Sequence, residues 1–141
     1  MAPKSRDPLA TLARLERQTL DVRRGELVAA QGGLERLDAT LQSHESAWSE
    51  AMRLAVTSES ELDFWGSVSR GTRQVLDRTT TERTDQASRV GEARDAVHAS
   101  LVELKRLEVL AERRAQRRQA AAAKTERLEL DELATLRHGR R

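Results

Sequence analysis

Three histidines, His44, His98 and His138, are the side chains best suited to ligate a metal or move a proton at neutral pH. They stand 40 or more residues apart in the chain. In the helical register derived below, His44 falls beside Thr72 and away from His98, so no metal site is expected. The 23 carboxylates are strewn along helix faces rather than paired for acid–base work. There is no P-loop, no HExxH, no glycine-rich phosphate loop and no nucleophile motif. Without cysteine the chain has neither thiolate chemistry nor a disulfide framework. Neither an enzyme nor a cofactor is expected.

Two clusters remain that can bind. Arg113, Arg114, Arg117 and Arg118 lie within two helical turns. They read as a solvated face paired to Glu108 and Glu112, worth about 0.2–0.5 kcal/mol per pair, as a contact for an acidic protein surface, or as a nucleic-acid contact. No aromatic lies in this basic segment to stack on a base, which argues against single-strand binding. The three aromatics, Trp48, Phe64 and Trp65, fall within 18 residues of one another. They either plug the end of a helical seam or form an exposed docking patch, since tryptophan is enriched at binding hot spots. Adjacent Phe64 and Trp65 cannot share one helix face, so both readings stay open.

The elements that must position these clusters follow from periodicity. Leu20, Leu27, Leu34, Leu41, Trp48 and Ala55 recur every seven residues, with Ala30, Leu37, His44 and Ala51 as a second row. Such a stripe is the seam of a coiled coil. Composition agrees: 38% apolar, 2% aromatic and 34% charged side chains leave no thick core. Both prolines fall within the first eight residues, so nothing interrupts helix after Pro8. Asp7 and Pro8 suit a helix start. A first helix is expected over about residues 8–56, a turn at about 57–60, and a second helix over about 61–137, all in one domain spanning residues 1–141. Ser58 and Glu61 have capping-box spacing, and Gly139 suits the end of the second helix. Six glycines fall inside the helices, with Gly32 and Gly33 the softest point.

The second helix carries matching rows, one through Leu62, Ser69, Leu76, Arg83, Val90, Val97, Leu104 and Ala111, another through Trp65, Thr72, Thr79, Gln86, Ala93, Ser100 and Leu107. Folding back at the turn pairs residues whose numbers add to 117, such as Leu41 with Leu76 and Leu20 with Val97. The second rows pair at 116, as Leu37 with Thr79 and Leu9 with Leu107. Two rows agreeing through one short turn predict an intramolecular antiparallel hairpin, with Leu34 against Arg83 and His44 against Thr72 as polar seam positions. Pairing is expected to end near Leu9 and Leu107. Residues 112–137 then project as a lone helix about 39 Å long. Residues 105–141 hold 11 basic and 6 acidic side chains, against 14 and 17 in residues 1–104, so this overhang is the basic end. Isolated helices are marginal in water, and a bare one implies a partner. No apolar run approaches the roughly 20 residues of a membrane span, and residues 1–7 lack a signal-peptide core. A cytoplasmic protein is expected, with no transmembrane segment.

These residues resemble the FliJ family of flagellar type III export, related to YscO-type stalk proteins of injectisomes. The resemblance rests on Leu9, Leu12 and Leu15 at the start and Trp48 near the end of helix one. It rests also on Leu107, Leu110, Glu112 and Arg113, then an alanine/glutamine stretch, then Leu130, Asp131, Glu132, Ala134 and Arg137. It implies a two-helix coiled coil like the central stalk of rotary ATPases, without activity of its own. It further implies contact with a hexameric export ATPase through Glu112, Arg113, Leu130, Asp131, Glu132, Ala134 and Arg137. Leu41, His44 and Trp48, with Phe64, Trp65 and Val68, become the implied contacts for the cytoplasmic domain of the export gate; His44 departs from the aromatic usual there. Export chaperones are the third implied partner, and peripheral association with the inner-membrane export apparatus the implied location. A coiled-coil scaffold or tether of an unrelated assembly is the alternative, and nucleic acid is not an expected partner.

Overall fold

The computed structural model describes residues 7–57 and 62–140. Within them the chain is all-α: helix α1, Pro8–Thr57, and helix α2, Leu62–His138, pack against each other as the expected hairpin. The expected turn beyond Thr57, and the Ser58 and Glu61 capping pair, lie outside the described residues. Asp7 caps α1 twice over: its Oδ1 accepts from the Leu9 amide at 3.2 Å and its carbonyl from the Thr11 amide at 3.1 Å. Arg137 and His138 occupy the last turn of α2, where positive charge complements the helix dipole. The Gly139 amide closes that end on the Thr135 carbonyl at 2.9 Å.

The chain divides into two compact units. The first spans Leu20–Ala99. Its seam is the one the heptads mark. Leu20 and Val90 are only 3% and 5% exposed, Ala51 and Thr79 only 6%. Leu27, Leu34, Leu41 and Trp48 of α1, and Leu76, Arg83, Gln86 and Val97 of α2, are half-buried. Thr79 keeps its hydroxyl satisfied inside this seam by donating to the Val75 carbonyl at 2.9 Å. Arg83 does not stop against Leu34: its guanidinium reaches one turn further and pairs with Asp38. Gln86 Nε2 donates to the Ala30 carbonyl at 3.0 Å, a pair whose numbers add to the expected 116.

That last contact explains Gly33. A Cβ built there would sit 2.7 Å from Gln86 Nε2. Glycine therefore leaves the gap through which the amide reaches the α1 backbone. The expected softness at Gly32 and Gly33 does not break the helix, which runs through both with no positive φ among the described residues.

The second unit comprises, among the described residues, 7–19 and 100–140. Ala13 and Ser100 are buried at 6% and 1% exposure, with Leu104, Leu107 and Ala111 half-buried along the two rows of the seam. Arg17 bridges to Glu108 at 3.3 Å. Pairing extends past the expected limit at Leu9 and Leu107, because Asp7 also binds Arg114 at 3.3 Å and Arg118 at 4.0 Å. The period of the seam fixes where a Cβ points, whereas arginine reaches a further turn along the helix. Every described residue from Glu112 onward is exposed, so the overhang is a helix without cover.

Candidate protein-interaction surfaces

The overhang comes first, because its sequence of charged, alanine and leucine residues supports helix but offers no seam to α1. Leu130, Ala134 and Arg137, at i, i+4 and i+7, share one face, which Leu133 and His138 complete. Leu130 and Leu133 are 59% and 57% exposed. Covering such a leucine fully stabilises by about 1.5–3 kcal/mol, which makes this face adhesive. Asp131 and Glu132 line a different shallow face, with Leu128, Thr135 and Leu136. The residues that stand together in sequence are thus split between two faces. Glu112 and Arg113 are not brought to either: Arg113 precedes Leu130 by 17 residues, or about 26 Å of helix.

Arg113 instead borders a groove on α2 floored by Val102, Val109 and Leu110, with Lys105 and Arg106 beside it. Where α1 begins, it also meets Leu9, Leu110, Arg114 and Arg117 around a second shallow hollow. The four arginines of the run therefore act in two pairs. Arg114 and Arg118 close on Asp7, while Arg113 and Arg117 make no ion pair among the described residues. Leu133, Val102 and Val109 were not singled out from the sequence, and His138 only as a possible ligand or proton carrier. Steps of three or four residues, from Leu130 to Leu133 and Ala134 and on from Ala134 to His138, and from Arg113 through Val109 and Arg106 to Val102, were the available signal.

The second set lies in the Leu20–Ala99 unit. Leu41, His44 and Trp48, at i, i+3 and i+7, are half-buried seam residues. The Arg73 guanidinium sits 5.8 Å from the Trp48 ring centroid, a cation–π contact worth about 0.5–1 kcal/mol at an exposed site. Beside it the Ser69 hydroxyl donates to Met52 Sδ at 3.2 Å. Phe64 and Trp65 meet edge to face, with ring centroids 5.2 Å apart at 75°. Phe64 is 60% exposed, whereas Trp65 and Val68 are half-buried. The two readings of the aromatics divide accordingly: the tryptophans pack and Phe64 faces water. The Trp65 indole N–H is buried and has no acceptor among the described residues. Arg73 and Met52 were missed by the sequence reading, although the 116–117 register places both within about a turn of residues it named.

Near the same end of α1, Arg53 donates to both Glu50 oxygens, at 3.1 and 2.6 Å. This hydrogen bonding, reinforced by the charge attraction, holds the Glu50 carboxyl below its ordinary range and raises the Arg53 guanidinium. The pair is solvent-exposed and belongs to the surface.

Among the described residues no group of three or more histidines, cysteines or carboxylates is placed to hold a metal ion. No helix there is long and apolar enough to cross a membrane. What the arrangement offers is two surfaces of protein-binding chemistry, one apolar and charged on the overhang, one aromatic in the other unit. Comparison with known proteins gives a match to the family model described as flagellar FliJ protein, over residues 5–141. No curated protein and no solved structure matches the chain.

Proposed function

We propose a function for this chain from one premise: it belongs to the flagellar FliJ family, and is a non-catalytic component of flagellar protein export. Within that role it is a stalk that couples the hexameric export ATPase to the export gate. The overhang is its ATPase-binding part, with Leu130, Ala134 and Arg137 as the apolar contact and Asp131, Glu132, Glu112 and Arg113 as flanking charges. Leu41, His44, Trp48, Phe64, Trp65 and Val68 serve the cytoplasmic domain of the gate. Escort chaperones are returned through the same protein, which works at the cytoplasmic side of the inner membrane without entering it.

The observation that supports this reading is the bare helix. α2 runs 77 residues, and from Glu112 onward every described side chain is exposed, including leucines at 57–67%. A helix end so long and uncovered is stabilised by a partner rather than by its own chain. The test is co-purification with the export ATPase, using full-length protein, Leu130→Asp, Ala134→Asp and a truncation after Gln119 that keeps the Asp7 ion pairs. Full-length protein binds and stimulates ATP hydrolysis; each aspartate variant binds at least about tenfold more weakly, the loss of one buried apolar contact. The truncation does not bind. Helicity per residue stays unchanged in all. Binding unaffected by both substitutions, with helicity retained, removes the overhang from the ATPase contact.

A further inference from the structure

Besides the seam, α2 carries a second heptad stripe on the side turned from α1. Through Val102, Val109, Gln116, Ala123 and Leu130 it advances by sevens, with Arg106, Arg113, Ala120, Arg127 and Ala134 interleaved. The seam residues Ser100, Leu104, Leu107 and Ala111 face α1, whereas Val102 is 39% and Leu130 59% exposed. The stripe is charged along its length. Its first half carries Lys105, Arg106, Arg113 and Arg117 with Glu112 among them; its second half carries Glu126 and Glu129 on either side of Arg127. Among the described residues Glu112, Arg113, Arg117, Glu126, Arg127 and Glu129 make no ion pair. Between the halves lie four successive alanines, residues 120–123, which let a second helix approach closely.

Arg113 and Glu126 stand equally far from the middle of this face, as do Glu112 and Arg127, so the face is complementary to itself when reversed. We infer that a second copy of this chain pairs with it, α2 against α2 and antiparallel over residues 102–137, about a two-fold axis beside Gln119 and Ala120. This register sets Val109 on Leu130 of the second copy, Arg113 on Glu126, and Arg127 on Glu112; their numbers add to 239 in each case. Each contact occurs twice, as an isologous interface requires. A parallel pairing would set arginine on arginine and carboxylate on carboxylate, so charge decides the direction. The overlap is about 54 Å long and about 10 Å wide, or roughly 1,000 Å² over both copies, at the lower limit of specific interfaces. An interface of this size suits a weak, exchanging dimer. It covers Leu130 and Ala134, so self-pairing and the proposed ATPase contact exclude each other. The inference itself concerns the isolated chain and does not depend on that contact.

Sedimentation equilibrium of the full chain across the micromolar range tests it. The weight-average mass rises from 15.8 kDa toward twice that value, and rises less at high salt. Arg113→Glu with Arg117→Glu weakens association by about tenfold or more, and adding Glu126→Arg with Glu129→Arg restores it. Because the chain has no cysteine, direction can be read by oxidation. Val109→Cys mixed with Leu130→Cys gives a disulfide-linked heterodimer in preference to either homodimer. A mass that stays at 15.8 kDa overturns the inference. So does association that ignores the charge reversals, or Val109→Cys linking to itself as readily as to Leu130→Cys.

Discussion

Gly33 and Gln86 show how much one residue type decides here. Gly25 and Gly91 are exposed in mid-helix, and a Cβ added at either meets nothing within 4 Å. Gly25→Ala and Gly91→Ala should each stabilise the fold by about 1 kcal/mol, the helix-propensity difference. Gly33→Ala makes the same propensity gain. It also drives the Gln86 amide away and breaks its bond to the Ala30 carbonyl, a loss of about 0.5–1.5 kcal/mol. Its net effect should stay near zero. Urea unfolding of the three variants measures the contrast, and an equal gain at all three positions would show that Gln86 contributes nothing through this gap. None of this was legible in the sequence, where Gly33 reads as a weak point. The 116 sum puts Gln86 opposite Ala30, but no residue pattern reports that an amide crosses to a backbone carbonyl.

At the scale of the element, the heptads carried most of the information. Of the described seam positions that the heptads mark, from Leu20 to Ala55 and from Trp65 to Ala111, every one is buried or half-buried. Period alone suffices because the direction of each Cβ is set by the helix. What period does not encode is reach. Arg83 extends to Asp38, Arg73 to Trp48, and Arg114 and Arg118 to Asp7, each beyond the residue directly opposite. On the overhang the family motif reads as one contiguous block, yet the helix turns Asp131 and Glu132 to another face from Leu130, Ala134 and Arg137. The seam also makes a sharp energetic contrast within α1. Leu20 is 3% exposed and Val28 68%. Leu20→Ala should cost about 2–3 kcal/mol, at the low end for a buried leucine because a thin seam relaxes easily. Val28→Ala should change stability by less than about 0.5 kcal/mol. Thermal melts followed by circular dichroism decide it, and similar shifts for both would mean that the seam is not where the stability lies.

At the scale of the molecule, the proposed stalk must serve two partners through surfaces that belong to different units. Leu130 and Ala134 lie in one and Trp48 in the other. A substitution in either surface should then affect one partner only. Trp48 is the more demanding case, because it is half-buried in the seam and holds Arg73 over its ring, so its loss also disturbs packing. Trp48→Ala should weaken binding to the cytoplasmic domain of the gate by about thirtyfold, the size of a hot-spot contact of 2 kcal/mol. ATPase binding should stay within about twofold, because the overhang does not need Trp48 to remain helical. Arg73→Ala separates contact from packing: it removes the cation–π pair, about 0.5–1 kcal/mol, and leaves the indole in place. If Trp48 contacts the gate directly, Arg73→Ala keeps most of the gate affinity and Trp48→Ala does not. Isothermal titration of each variant against each partner supplies all four values. Loss of both partners in Trp48→Ala, with lowered helicity, would assign Trp48 to the fold alone and leave Phe64, the aromatic that faces water, as the residue to replace next.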